Sequence, residues 1–153
     1  MAIALTLHIL AATIWVGGMF FAYLCLRPVA ASLLEPPLRL SLWQDTFKRF
    51  FFWVWIAVAV LLVSGHGMIA LYGGFASIGK HVHMMLGLGY IMFLLFGHLY
   101  FVPFKRMKAA VSENRWPDAA THLNLIRKIV AINLTLGLIV IAIASGGKFL
   151  FSA

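Results

Sequence analysis

The sequence predicts an all-α fold, a bundle of four membrane-spanning helices. Three observations predict it. The composition is 63% hydrophobic and 10% charged, where a soluble domain usually carries about a quarter charged residues, and the mean hydropathy is +1.00. Four apolar stretches lie near residues 2–26, 50–72, 81–102 and 129–151, each about 20 residues or longer, enough to cross roughly 30 Å of hydrocarbon as a helix. The basic residues gather between these stretches rather than within them. Backbone groups find no water in lipid, so runs of this kind fold as helices. At 153 residues the chain makes a single membrane domain.

The first stretch closes at Arg27-Pro28, a charge followed by a helix breaker. It lacks a basic leading region and exceeds the length of a typical signal core, so it reads as a retained span. The connection at residues 27–49 holds Pro36-Pro37 and then residues 38–47, which suit a short interfacial helix. Trp43, Phe47, Phe50, Phe51, Trp53 and Trp55 crowd the entry to the second stretch, where an aromatic belt at the headgroups is expected. The second stretch ends in Gly73-Gly74, and the third stops at Pro103, with Lys105, Arg106 and Lys108 just beyond. In the next connection Pro117 suits a first helical turn, so the last helix is expected to open early.

Net charge is +8 and the pI is about 10.2. No aromatic-basic platform for bases accompanies that charge, so nucleic acid is excluded as a partner and the bilayer is expected instead. Ten of the twelve Lys and Arg residues fall in the connections at 27–49 and 103–128, leaving only Lys80 and Lys148 at the other end. The positive-inside rule then places both connections in the cytoplasm and both termini in the periplasm of a bacterial inner membrane. Cys25 stands alone, so no internal disulfide is expected and the residue reads as a small apolar helix residue.

Six histidines sort by depth on this topology. His8 lies a few residues inside the first stretch, and His66 is six residues before Tyr72, roughly 9 Å along the axis. His83 opens the third stretch, so these three share the outer end. His98 is fifteen residues past His83, roughly 22 Å deeper, and His122 is in the basic connection. His81 points about 160° away from His83 on a helix, which suits an interfacial side chain. An ionisable group inside a span is costly and usually has a partner and a role. Imidazoles converging from several helices are how a bundle holds haem or a metal. Gly65 and Gly67 flank His66, and His83, Gly87 and Tyr90 share a helical face, as small residues beside a planar cofactor do. Trp15 falls on the face of His8. Met68, Met84 and Met85 lie close in sequence to His66 and His83, and thioether with imidazole suits copper.

The first span reads His8-Ile-Leu-Ala-Ala-Thr-Ile-Trp15-Val-Gly17-Gly18. It resembles the first span of the copper-resistance protein D (CopD) family, in which a His is followed seven residues later by Trp and then Gly-Gly. It is also similar to the start of HemJ-type protoporphyrinogen oxidases, four-helix membrane proteins that bind haem b, and Gly97-His98-Leu99-Tyr100 is loosely similar to their third span. The resemblance implies a four-helix membrane fold and His8 as a ligand.

The leading expectation is a b-type haem protein in which two of His8, His66 and His83 ligate iron near the periplasmic face. Trp15, Gly65, Gly67, Gly87 and Tyr90 would line the pocket. The haem would exchange electrons with quinol or a periplasmic redox partner, or serve an oxidation as part of a membrane oxidoreductase. The alternative is copper binding or uptake through His8, His66, His81, His83, Met68, Met84 and Met85. A third reading is a structural subunit of a membrane complex, with a homo-oligomer as a candidate assembly.

Overall fold

The computed structural model describes residues 1–150, with side chains as far as Gly146. Phe151, the expected end of the fourth stretch, and the side chain of Lys148 lie outside the described residues. Six α-helices build four rods. The first rod is α1 (Ala2–Phe20), a π-helical turn (Phe21–Leu26) and α2 (Arg27–Leu33). The second is α3 (Pro36–Leu71). The third is α4 (Lys80–Leu99), a π-helical turn (Tyr100–Phe104) and α5 (Lys105–Ser112). The fourth is α6 (Trp116–Leu150). All four are long and apolar enough to cross a membrane, and no strand occurs among the described residues.

Two expected helix ends are corrected. The first rod runs past Arg27-Pro28 to Leu33, and the third runs past Pro103 to Ser112. Proline breaks a regular helix because it lacks an N–H and its ring strikes the carbonyl one turn earlier. Both prolines here sit in or just after a widened π-helical turn, which absorbs the misfit. The expected interfacial helix at 38–47 is likewise continuous with the second span. At 1.5 Å per residue, the 36 residues of α3 measure roughly 54 Å, well beyond a hydrocarbon core of roughly 30 Å. The surplus is at the basic end, where long connections become helical extensions. The actual turns are short. Gly73 and Gly74 take positive φ (94° and 88°) after α3, and Asn114 (φ 56°) turns α5 into α6. The last helix opens at Trp116 with Pro117 in its first turn, as the sequence suggests.

α1 packs chiefly on α3, and α4 on α6. Gly18 permits the first pairing: a Cβ there would lie 2.2 Å from the Phe50 ring, the close approach that small residues allow in membrane bundles. The densest packing is at the basic half. Leu40, Trp43, Phe47, Phe51, Val54 and Val58 form the inner face of α3 at helical spacing, meeting Phe96, Phe104, Met107, Leu123 and Ile126. The aromatic-belt expectation therefore holds for only part of its set. Trp53 is 55% exposed and Trp55 37%, but Trp43, Phe47 and Phe51 are buried, because three- and four-residue steps return them to one face.

Phe51 stands against the rings of Phe47, Phe96 and Phe104 at centroid distances of 5.0–5.5 Å. Phe51→Ala should cost about 3 kcal/mol through lost packing and the void left behind. Trp53→Ala, two residues on and outward, should change stability by less than about 0.5 kcal/mol. Thermal unfolding of the two variants in detergent checks this, and equal losses would refute the inward assignment.

Candidate functional site

At the end opposite the basic residues, α1 and α3 are fastened by one side-chain bond. His8 Nδ1 lies 2.8 Å from Ser64 Oγ. Ser64 spends its only proton on the Val60 carbonyl at 2.6 Å, so its oxygen accepts and His8 Nδ1–H donates. Protonation of Nδ1 leaves the Nε2 lone pair of neutral His8 free. Gly65 makes room for this ring: a Cβ at 65 would meet His8 Cε1 at 3.3 Å. The flanking glycine thus accommodates an imidazole from the neighbouring helix.

His66 is set in the same tautomer by a different partner. Its Nδ1 faces the Leu62 carbonyl at 2.8 Å. A carbonyl only accepts, so Nδ1 carries the proton and Nε2 the lone pair. The Tyr90 hydroxyl donates to that Nε2 at 2.7 Å, bridging α3 to α4. Nδ1–H fastened to a protein acceptor with Nε2 left as donor atom is the usual arrangement of a metal-binding histidine.

Both imidazoles line a cavity of about 280 Å³ between the α1–α3 pair and the α4–α6 pair. Trp15, Gly65, Met68, Met85 and Met92 share its wall, with Gly89 and Gly137 as small positions. The Trp15 ring stacks on Phe93 at 5.6 Å near the base of the cavity. Deeper, Asn133 Nδ2 donates to the Met92 carbonyl at 3.2 Å, while Asn133 Oδ1 is buried without a hydrogen-bond partner among the described residues. Sequence reading missed Asn133, although an amide inside an otherwise apolar span is a signal in itself. It took Met92 as isolated, whereas the folded α4 brings it to the same cavity wall as Met68 and Met85.

Other expected site residues lie elsewhere. His83 is exposed, with Nδ1 against its own Gly79 carbonyl at 3.2 Å, and Met84 and Gly87 are exposed beside it. The cavity takes the opposite face of α4, through Val82, Met85, Leu86 and Gly89. Gly67 is exposed, with open space where a Cβ would be. Tyr90 is 40% exposed and acts through its hydroxyl rather than as wall. The His81 ring folds over Gly79, and His98 is exposed on the third rod. Among the described residues no cluster of three or more His, Cys, Asp or Glu forms, so a metal held here would need thioether ligands beside the two imidazoles.

Residues 44–146 match the family described as copper resistance protein D, which is most of the chain and three of its four rods. This chain belongs to the copper resistance protein D family. The match takes in His66, Met68, Met85 and Met92, and starts beyond His8. An uncharacterised protein of Aquifex aeolicus (strain VF5) is 30% identical over 134 residues, covering 85% of this chain and 89% of the relative. No solved structure matches. Membership marks a membrane protein linked to copper resistance, and the donor set in the cavity is compatible with that link. Imidazole nitrogen and thioether sulfur together suit copper, and thioether favours Cu(I).

The tautomers are directly measurable. In metal-free protein, ¹⁵N NMR of the histidine side chains should show His8 and His66 with Nδ1 protonated and Nε2 unprotonated, that of His66 accepting from Tyr90. Ser64→Ala should release His8 into mixed tautomers and leave His66 unchanged. Wild-type His8 protonated at Nε2 would contradict the assignment.

Proposed function

We propose that this CopD-family membrane protein binds Cu(I) as cargo in the cavity between its two helix pairs. Nε2 of His8 and of His66 would hold it, together with thioethers drawn from Met68, Met85 and Met92. The observation that carries this reading is the convergence of two Nε2-type imidazoles and three thioethers on one apolar cavity. Soft, neutral donors in a dry setting favour the monovalent ion over hard divalent cations. His8 offers its lone pair directly, and His66 offers its own once Tyr90 turns away. Ten of the twelve basic residues lie at the far end, and by the positive-inside rule that end would be cytoplasmic and the cavity near the periplasmic face of a bacterial inner membrane. The basic half is filled by Trp43, Phe47, Phe51 and Phe104 and offers no ladder of soft ligands. The reading is therefore a binding or handover site, not an open conduit.

A second reading, haem b, has its own support. One water needs about 10–15 Å³ of cavity space, and a cavity of about 280 Å³ is larger than one ion needs. Two imidazoles with unprotonated Nε2, that of His66 once Tyr90 turns away, the indole wall of Trp15 and the small positions Gly65 and Gly89 would suit bis-histidine iron, with quinol or a periplasmic protein as redox partner. His83 would then be outside the ligand pair.

One preparation distinguishes the two. Protein purified in mild detergent should bind one Cu(I) per chain, with no Soret band in its visible spectrum. His8→Ala and Met85→Ala should each weaken Cu(I) binding about ten-fold or more, while His83→Ala should leave it within two-fold, about 0.4 kcal/mol. A Soret band lost in His8→Ala would replace copper with haem. Neither metal nor haem at stoichiometric level would leave a structural subunit of a larger complex as the function.

A further inference from the structure

At the other end of the molecule the basic residues divide in two. Lys48, Arg49, Lys105, Arg106, Lys108, Arg115 and Lys128 are exposed, as residues that only signal topology need to be. Arg27, Arg39 and Arg127 are half-buried. They come from three separate elements: the start of α2, the first turns of α3, and α6. Arg27 and Arg127 line one crevice together with Tyr23 and Trp43, and Arg39 is at the same end of the bundle.

No carboxylate among the described residues forms an ion pair with these arginines. Among the described residues, ion pairs are confined to Arg115 with Glu113 and Asp118. Arg127 reaches Asn124 Oδ1 at 3.3 Å and lies over the Trp43 ring at 5.8 Å. Arg27 lies over the Tyr23 ring at 4.9 Å. Arg39 Nη1 is 3.5 Å from the Ala31 carbonyl, too long to satisfy it well. Arg127 Nε and Trp43 Nε1 are buried donors with no acceptor among the described residues. Like charges that are partly desolvated and lack acceptors are costly unless an anion completes the site.

We propose that Arg27, Arg39 and Arg127 form a binding site for a phosphate-bearing anion, with an anionic phospholipid headgroup at the basic end as its best-fitting source. Guanidinium groups match phosphate oxygens in paired hydrogen bonds, and all three residues are arginine where lysine would serve a mere charge signal. Basic pockets between membrane helices are places where such headgroups dock. Tyr23, partly exposed beside Arg27, suits that level, since amphipathic rings favour the headgroup zone. The crevice lined by Arg27, Trp43 and Arg127 is only about 10 Å³, room for about one water, so the phosphate sits at its mouth.

The test measures the thermal unfolding temperature of the full chain in detergent micelles. One arm adds phosphatidylglycerol, one adds phosphatidylcholine at equal mole fraction, and one adds inorganic phosphate without lipid. Phosphatidylglycerol should raise the unfolding temperature and phosphatidylcholine should not, with the effect shrinking at high salt. Arg127→Gln should weaken the apparent lipid affinity about ten-fold. Arg39→Gln, at the rim, and Arg127→Lys, which keeps the charge, should weaken it too if R127Q fails to fold. Arg106→Gln should behave as wild type. Inorganic phosphate reproducing the whole shift would uphold the site with free phosphate as its ligand. No shift from either anion, or cluster variants that respond like wild type, would overturn the proposal.

Discussion

A buried imidazole in a membrane helix must bind at least one of its nitrogens to something. Here His8 Nδ1–H donates to Ser64 Oγ, whose own proton is held by the Val60 carbonyl. That short relay fastens α1 to α3 at the open end of the bundle and chooses the tautomer of His8. It depends on Gly65, whose missing side chain lets the ring approach, and on Gly18, which seats the same helix pair around Phe50 farther down. With α1 and α3 joined in this way, the wall that carries His8, Trp15, His66 and Met68 is one surface rather than two.

The bundle is asymmetric, and the site depends on that asymmetry. Interleaved aromatic rings close the second rod on the third at the basic half. At the opposite half, α4 makes few close backbone approaches to α1 or α3. The gap is spanned by side chains: Trp15 on Phe93, and Tyr90 on His66. Lipid tails are as apolar as the cavity wall, so little hydrophobic force pulls the helices shut. Packing at one end therefore holds open a pocket at the other, and small residues on α3, α4 and α6 enlarge it.

Much of this was legible in the sequence. Hydropathy alone located four helices, because lipid leaves the backbone few choices. His8 and His66 stood out as ionisable groups in apolar runs, and their depths agreed. The prolines misled because a π-helical turn is invisible in composition, and Pro28 and Pro103 look like stops until the widened turn is seen. The aromatic crowd misled because it mixes two faces of one helix, and only the helical period separates Phe51 from Trp53. His83 misled for the same reason: it shares the depth of the site but sits on the outward face of α4. Met92, Asn133 and the three arginines were illegible because their neighbours come from other rods.

Tyr90 sets the terms on which the site can work. In the metal-free protein, His8 Nε2 is bare and His66 Nε2 is capped by the Tyr90 hydroxyl. A copper ion would meet His8 and the thioethers first and complete its coordination only by displacing that hydroxyl. Breaking the bond costs about 1 kcal/mol net, or roughly five-fold in affinity, and no proton needs to leave, since the hydroxyl keeps its own. The cap stands on α4 and the imidazole on α3, so loading and unloading the ion would open and close the seam between the two helix pairs. On the copper reading, the Tyr90 hydroxyl would act as an internal competitor for His66 Nε2 and so favour release of the ion.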